Sequence, residues 1–314
     1  MDLSFAIPVK IDSKYLLQNL STVLRFLTTQ FKDAEILVIE QDIESNLEKI
    51  SIKYPDIKFF FMKQEGYFSK SKAINLGILN STRKYFCMYD ADVLISPEAI
   101  NKSINILNKK NWRIVVPFNR IFIDVQGKLR ENIINNPGNY YHLLKIKRVK
   151  DIPESTDITS RILHGGIVLA DKEILEMEGG FNKKMISYGW EDTEFFKRFE
   201  KLGYQTKHIN SNNIIHLGHE RDSDSRPNEM YDKNKCEYLL INSMDRKKLK
   251  NYVDKELSIV YGYTEKRQNI RKNQHRRNIL FALKLRSYVN KLHLFYSIYG
   301  IREFSKRIIF CKLS

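Results

Sequence analysis

The chain has 314 residues, of which 42% are hydrophobic and 29% are charged, and this composition excludes wholesale disorder and fibrous classes. The apolar segment Leu3–Val9 follows Met1 with no basic segment before it, so no signal peptide is expected. No apolar run reaches the roughly 18 residues that a transmembrane helix needs. The three cysteines lie far apart and fit neither a zinc spacing nor a disulfide framework, which indicates a reducing compartment.

The positive charge is concentrated in the last part of the chain. Residues 244–314 contain 18 Lys and Arg against 5 Asp and Glu, whereas residues 1–243 contain 35 against 32. We therefore predict a nearly neutral domain over residues 1–243 and a basic helical extension over residues 244–314. Such an extension favours a polyanionic partner: nucleic acid, an anionic membrane or an acidic protein.

Strand-like and helix-like segments alternate from the N-terminus to Asp92. Leu3–Val9 is typical of a buried strand, and the leucine spacing between Ile11 and Phe31 predicts a helix. The other elements predicted in this part are strands over residues 35–40, 58–62 and 84–89 and a helix over residues 71–80. This alternation favours an α/β fold with a largely parallel sheet. Ligands bind such sheets at the carboxyl ends of the strands.

The pattern is less regular after Asp92. Residues 118–160 contain Pro137-Gly138, Pro153 and scattered charges, so we expect long surface loops or a lid there. An apolar stretch returns over residues 161–170. Glu191–Leu202 has helical spacing and is followed by Gly203, and Ile214–His219 is predicted as a strand end.

Common phosphate-binding and catalytic motifs are absent from the sequence. It contains no G-x-G, G-x-x-x-x-G-K, H-E-x-x-H or G-x-S-x-G, which disfavours dinucleotide enzymes, P-loop kinases, zinc proteases and serine hydrolases. Nucleotide phosphates bound here would need a metal ion held by carboxylates.

Asp90-Ala91-Asp92 ends the last of the alternating strands. Two carboxylates at this spacing can serve one divalent cation, one as a ligand and the other as a hydrogen-bond acceptor. Asp222-Ser223-Asp224 repeats the spacing without a strand before it. A solvated turn is the alternative for either pair, and the buried strand before Asp90 favours a metal site there.

His216 and His219 also lie at a predicted strand end. Near Asp92 they would complete a mixed nitrogen and oxygen site that suits Mn²⁺, or less readily Mg²⁺. Two surface or capping histidines are the alternative, and the pair in isolation favours it.

Gly189-Trp190-Glu191-Asp192 combines an indole with two carboxylates. An exposed indole stacks on the apolar face of a sugar ring, and a carboxylate accepts hydrogen bonds from its hydroxyls. One carboxylate is also a candidate general base for an acceptor hydroxyl. A helix N-terminus with acids favoured by the dipole is the alternative, and both interpretations can hold together.

Residues 68–77 place basic side chains at the start of a predicted helix. Lys70 and Lys72 suit a diphosphate, and Phe68 suits stacking on a base. A solvated amphipathic helix is the alternative, and this segment alone favours it.

Together these segments resemble the catalytic domain of the β-1,4-galactosyltransferases and related bacterial glycosyltransferases of families 2 and 7. The resemblance covers roughly residues 1–235. Its motifs, in family order, are residues 68–77, Asp90-Ala91-Asp92, His164-Gly165-Gly166-Ile167-Val168, Gly179-Gly180-Phe181-Asn182, Gly189-Trp190-Glu191-Asp192 and His219-Glu220-Arg221-Asp222. It implies a GT-A fold of the α/β class, with a mostly parallel sheet flanked by helices.

The resemblance also implies a role for individual residues. The donor-binding residues would be Pro8, Lys10, Phe68, Lys70, Asp90 and Asp92. The metal ligands would be Asp92, His216 and His219, and the residues facing the sugars would be Gly166, Trp190 and Glu191. Asp192 would be the general base, with Glu191 as the alternative. His216 lies where the vertebrate enzymes have a metal-ligating methionine. An imidazole in place of that thioether should make the site less selective for Mn²⁺ over Mg²⁺.

The implied reaction is an inverting transfer of a hexose or N-acetylhexosamine from a UDP-sugar to a glycan acceptor in capsule or lipopolysaccharide synthesis. Galactose and N-acetylgalactosamine are the favoured donors. The alternative is a basic nucleic-acid- or membrane-binding protein with a non-catalytic GT-A-like domain. Because no RNP-like, zinc-finger or helix-turn-helix signature occurs, no nucleic-acid partner is expected.

Residues 279–301 carry apolar side chains at helical spacing with basic residues around them. This pattern suits an amphipathic helix on an anionic membrane, where each basic residue contributes about 1 kcal/mol. A helix docked on the catalytic domain is the alternative. We expect a cytoplasmic protein, peripheral on the inner face of the membrane through residues 270–314 and acting on a lipid-linked acceptor.

Overall fold

The computed structural model describes residues 1–109, 111–144, 157–162, 165–210, 212–220, 224 and 226–259. They belong to the first of two compact units, residues 1–260 and 261–314. His164, Asp222 and the predicted helix over residues 279–301 lie outside the described residues. The boundary predicted after residue 243 falls inside the first unit, and the division into a catalytic domain and a basic extension stays a prediction.

Strands and helices alternate through the first unit. Its strands are β1 (Leu3–Val9), β2 (Glu35–Asp42), β3 (Lys58–Lys63), β4 (Tyr85–Tyr89), β5 (Val93–Leu94), β6 (Ile114–Val116), β7 (Ile121–Val125), β8 (Ile158–Ile162), β9 (Ile167–Asp171), β10 (Thr206–His208) and β11 (Ile214–Leu217). Its helices are α1 (Lys14–Gln30), α2 (Glu48–Ser51), α3 (Lys70–Asn80), α4 (Pro97–Asn108), α5 (Gly127–Asn135), α6 (Tyr141–Leu144), α7 (Lys172–Met177), α8 (Glu191–Lys201), α9 (Glu229–Ser243) and α10 (Arg246–Tyr252). None of these helices is both long enough and apolar enough to cross a bilayer.

The central sheet has the strand order β10-β6-β9-β4-β1-β2-β3. Only β9 runs antiparallel to its neighbours β4 and β6, so the predicted mostly parallel sheet is confirmed. β1 and β4 are buried along their whole length, which explains their near-continuous apolar sequence. Since these two strands pair in parallel, Lys10 and Asp90 follow them at the same edge of the sheet.

A second, four-stranded sheet has the order β5-β11-β7-β8. The expectation of long loops over residues 118–160 was wrong, because β7, α5, α6 and the first part of β8 lie in that range. Phe122, Ile123 and Val125 of β7 are buried. Pro137 and Gly138 begin the short 3₁₀ helix Pro137–Tyr140 between α5 and α6, so they mark one turn and not a long loop. Residues 145–156 are outside the described part of the chain.

A buried arginine of helix α8 connects the helix to the chain segment that follows α7. The side chains of Arg198 and Glu194 are both 0% exposed, and Arg198 Nε lies 2.6 Å from Glu194 Oε1. The same guanidinium donates to the carbonyl oxygens of Glu178 and Gly180. Arg198 thereby holds α8, and the acidic residues at its N-terminus, against the segment that follows α7.

Replacing Arg198 with alanine is expected to lower the free energy of unfolding by about 3–5 kcal/mol, because it leaves Glu194 as an unpaired buried charge. Urea unfolding followed by circular dichroism measures this change. Lys197→Ala is the control, since its ion pair with Glu200 is exposed and contributes at most about 1 kcal/mol. Equal effects of the two substitutions would contradict the role of Arg198.

Candidate active site

The three side chains predicted as metal ligands lie together at the junction of the two sheets. β5 pairs antiparallel with β11 directly after Asp92, with Val93 opposite His216. Asp92 Oδ2 lies 3.3 Å from His216 Nε2 and 3.1 Å from His219 Nε2. One possible ligand atom from each residue lies within 4.8 Å of the others. One carboxylate and two imidazoles make a donor set that fits a cation such as Mn²⁺.

Asp124 supports this cluster and was missed by the sequence analysis. β7 and β11 pair in parallel with Asp124 opposite His216, and Asp124 Oδ1 lies 2.7 Å from His216 Nδ1. A carboxylate on the second nitrogen of a histidine orients that ring in many metal sites. The signal in the sequence was one acid within the apolar run Ile121-Phe122-Ile123-Asp124-Val125.

The cluster changes the pKa values of its members. Burial acts to raise the pKa of Asp92, but His216 and His219 hold it well below its usual range. Burial acts to lower the pKa of His216, but Asp92 and Asp124 raise it to about 9. The hydrogen bond with Asp92 raises the pKa of His219. An imidazole ligates a cation only in its neutral form, so a cation bound by His216 would displace its proton near neutral pH.

A cavity of about 200 Å³ opens beside the cluster. It brings together eight residues from the predicted set: Pro8, Lys10, Phe68, Lys70, Asp90, Asp92, Glu191 and His219. Residues that the sequence analysis did not assign to a site also line it, among them Asp12, Ser187, Tyr188 and Asp224. The ends of β1 and β4, the start of α3 and the start of α8 therefore face one space.

Two lysines at this cavity are paired with carboxylates. Lys70 Nζ lies 2.6 Å from Asp90 Oδ1, and Lys10 Nζ lies 2.5 Å from Asp224 Oδ2. Burial acts to lower the pKa of Lys70, but Asp90 raises it above its usual value, so Lys70 is charged. Burial raises the pKa of Asp90 to about 6, although Lys70 opposes the change.

Asp224 links three segments of the cavity wall. It pairs with Lys10 after β1, accepts a hydrogen bond from the backbone N–H of Phe68 at 3.1 Å, and lies near Ser187. Its side chain is only 6% exposed. In the sequence, Asp224 belongs to the second Asp-x-Asp pair. Because no strand is predicted before that pair, the sequence alone did not distinguish it from a solvated turn.

Glu191 and Asp192 occupy the first turn of α8, as the helix N-terminus alternative predicts. Burial, with a further contribution from Asp192, raises the pKa of Glu191 to about 7. The carboxylate of Asp192 lies so close to Gly165 that a β-carbon there would overlap it. Asp192 also lies near enough to Lys70 and Asp90 to interact with their charges.

Trp190 and Gly166 lie beside the cavity and do not line it. The ring of Trp190 packs on Tyr238 of α9 with centroids 5.0 Å apart, and it also contacts Tyr231 at 6.0 Å. The carbonyl of Gly166 accepts a hydrogen bond from the N–H of Asp90 at 2.9 Å. Gly166 has a φ of 97° and packs tightly against Phe122, so a side chain at this position would be strained.

The central sheet flanked by helices, with an Asp-x-Asp pair at the end of β4, has the architecture of the GT-A class. Two solved structures share the fold: S. aureus TarS, 14% identical with a TM-score of 0.51, and GalNAc-T7 with UDP, GalNAc and Mn²⁺, 12% identical with a TM-score of 0.50. The similarity covers 82% of this chain and 43% of TarS, and 76% of this chain and 47% of GalNAc-T7.

The sequence model of glycosyl transferase family 2 matches residues 4–176, which is more than half of the chain. The chain therefore belongs to glycosyl transferase family 2. A second model, described as the N-terminal domain of galactosyltransferase, matches residues 154–220, in agreement with the resemblance seen in the motifs.

An uncharacterized glycosyltransferase of Rickettsia typhi is 30% identical over 115 residues, which are 37% of this chain and 35% of the relative. The chain thus matches about a third or less of the length of its curated relatives.

Proposed function

We propose that the protein is a metal-dependent inverting glycosyltransferase that moves a hexose or N-acetylhexosamine from a UDP-sugar to a hydroxyl of a glycan acceptor. The convergence of Asp92, His216 and His219 beside a cavity with two lysines carries the proposal. The match to the galactosyltransferase domain supports galactose or N-acetylgalactosamine as the donor sugar. The GT-A relative GalNAc-T7, solved with UDP, GalNAc and Mn²⁺, supports the same donor chemistry.

Asp92, His216 and His219 are the residues that would hold Mn²⁺ or Mg²⁺. A cation bound there would neutralise charge on the diphosphate leaving group. Lys10 and Lys70 add two ammonium groups at the same cavity. Diphosphate oxygens would compete with Asp224 and Asp90 for these ammonium groups.

Asp192 is the proposed general base, and Glu191 is the alternative. The carboxylate accepts the proton of the acceptor hydroxyl while the hydroxyl oxygen attacks the anomeric carbon. The bond between that carbon and the UDP oxygen breaks, and its electron pair leaves with UDP. Because attack comes from the face opposite UDP, the configuration inverts without a covalent enzyme intermediate.

The proposed setting is the synthesis of a bacterial surface polysaccharide such as a capsule or lipopolysaccharide. The Rickettsia relatives support a bacterial setting. A lipid-linked acceptor at the cytoplasmic leaflet would explain the basic residues 270–314, which would lie against anionic lipid.

The test is UDP release by the purified chain with Mn²⁺ and each of four donors: UDP-galactose, UDP-N-acetylgalactosamine, UDP-glucose and UDP-N-acetylglucosamine. We expect slow release from one donor without acceptor and none in EDTA. With an acceptor, NMR of the product should show an inverted anomeric configuration. Retention of configuration, or no release together with no metal-dependent UDP binding by calorimetry, would overturn the proposal.

Asp124→Asn is expected to weaken Mn²⁺ binding about 10- to 100-fold, because the amide holds the His216 ring less firmly and polarises it less. Calorimetric titration of Mn²⁺ in the presence of UDP measures the change. Asp33→Asn, at an exposed carboxylate outside the site, should bind like the wild type. Wild-type affinity in Asp124→Asn would show that the carboxylate does not support the metal site.

A further inference from the structure

A second groove, about 510 Å³ in volume, lies along the outer side of helix α8. Its walls come from α8, from β10 and the segment before it, from α9, and from the segment before β6. The lining residues are Trp112, Thr193, Phe196, Lys197, Glu200, Tyr204, Gln205, Thr206, His208 and Tyr238. Thr193, Phe196, Lys197 and Glu200 follow helical spacing, so one face of α8 forms a wall about 10 Å long.

We infer that this groove binds a sugar unit of the acceptor glycan, away from the hydroxyl that reacts. The inference rests on the proposed function, because it takes the acceptor to be a glycan. None of the site residues predicted from the sequence lines this groove.

The chemistry of the groove suits carbohydrate. Four aromatic side chains, Trp112, Phe196, Tyr204 and Tyr238, offer apolar rings, and such rings pack on the C–H faces of sugars. Exposed polar groups stand among them: the Glu200 carboxylate, the Gln205 amide and the Thr193 hydroxyl. A concave site with aromatic walls and a few polar groups is typical of small-molecule binding.

Two residues of the groove lie next to residues of the candidate active site. Thr193 lines it and directly follows Asp192, the proposed base. Tyr238 also lines it, and the ring of Tyr238 packs on Trp190, the residue before the acidic pair. α8 begins at the active-site edge of the sheet and runs towards the start of β10, so the groove leads away from the site of transfer. A chain whose terminal hydroxyl lies near Asp192 would extend along it.

Intrinsic fluorescence tests binding directly, because the chain contains only two tryptophans, Trp112 and Trp190. In Trp190→Phe the emission comes from Trp112 alone. The probes are β-linked tetrasaccharides of galactose, glucose and N-acetylglucosamine and the corresponding monosaccharides. We expect at least one tetrasaccharide to change the emission saturably, and the change to be lost when Glu200→Ala and Gln205→Ala are added.

Both added substitutions are at exposed positions, and thermal unfolding verifies that the protein stays folded. No response to any tetrasaccharide up to about 10 mM would overturn the inference. A response that persists without Glu200 and Gln205 would overturn it as well.

Kinetics with the responding tetrasaccharide as acceptor give a second test. Trp112→Ala should raise its KM about tenfold or more, and it should leave kcat and the UDP release without acceptor unchanged. The matched control is Phe61→Ala, because Phe61 is 39% exposed on β3, the opposite edge strand of the same sheet. An unchanged KM in Trp112→Ala would count against the groove alone, whereas absence of UDP release by the wild type would count against the proposed function.

Discussion

Asp92→Asn is expected to reduce Mn²⁺-dependent UDP release by about 10³-fold or more. Asp92 Oδ2 faces both imidazoles of the cluster, and an amide supplies neither the negative charge nor a comparable ligand. A metal ion contributes several kcal/mol to stabilising a leaving group, and each 1.36 kcal/mol is about tenfold in rate. UDP release and calorimetric Mn²⁺ titration should both show the loss.

The matched control for this substitution is Asp56→Asn, at an exposed carboxylate away from the site, which should keep wild-type activity. Substantial Mn²⁺-dependent activity in Asp92→Asn would exclude Asp92 as a ligand. A loss of activity with unchanged Mn²⁺ affinity would also exclude that role.

Stability without metal gives a second readout for Asp92. Asp92, together with Asp124, raises the pKa of His216 to about 9, so the attraction of Asp92 to the charged imidazole stabilises the fold below that pH. The stabilisation is lost as the pH rises through about 9, because His216 loses its proton. The difference in unfolding free energy between wild type and Asp92→Asn should therefore shrink from about pH 6 to about pH 10. Urea unfolding in EDTA measures it.

The sequence predicted the parts of the site that follow predicted strands. Asp90 and Asp92 come after the apolar run of β4, and His216 and His219 come at the end of β11. The predicted strand ends alone therefore indicated that these residues lie at the edge of a sheet where ligands bind. The pairing of β5 with β11, which brings the imidazoles to Asp92, joins segments far apart in the chain and has no local signal.

The residues that the sequence analysis missed act through partners distant in the chain. Asp124 meets His216 only because β7 and β11 are adjacent, and β7 lay in a range expected to form loops. Asp224 becomes a buried partner of Lys10 through tertiary packing. Trp190 packs on Tyr238 of α9. The surroundings of Trp190 therefore depend on a helix that lies later in the chain.

Asp192→Asn is expected to lower the rate of transfer to an acceptor by about 10²–10⁴-fold, the usual contribution of a general base. Mn²⁺ and UDP binding should stay within a few-fold of wild type, because Asp192 does not line the cavity beside the metal-ligand cluster. Single-turnover transfer and calorimetry separate the two effects. Asp33→Asn, at an exposed carboxylate outside the site and the groove, controls for the loss of one negative charge.

Glu191→Gln distinguishes the two carboxylates at the start of α8. Because burial raises the pKa of Glu191 to about 7, this group gains a proton as the pH falls through neutrality. If Asp192 is the base, Glu191→Gln should lower kcat by less than about tenfold. The dependence of kcat on pH should then show no transition near pH 7 in this variant. A fall of about 10²-fold or more in Glu191→Gln, with near-normal transfer by Asp192→Asn, would assign the base to Glu191. In that case wild-type activity should fall as the pH drops below about 7, because Glu191 gains a proton there and can no longer act as a base.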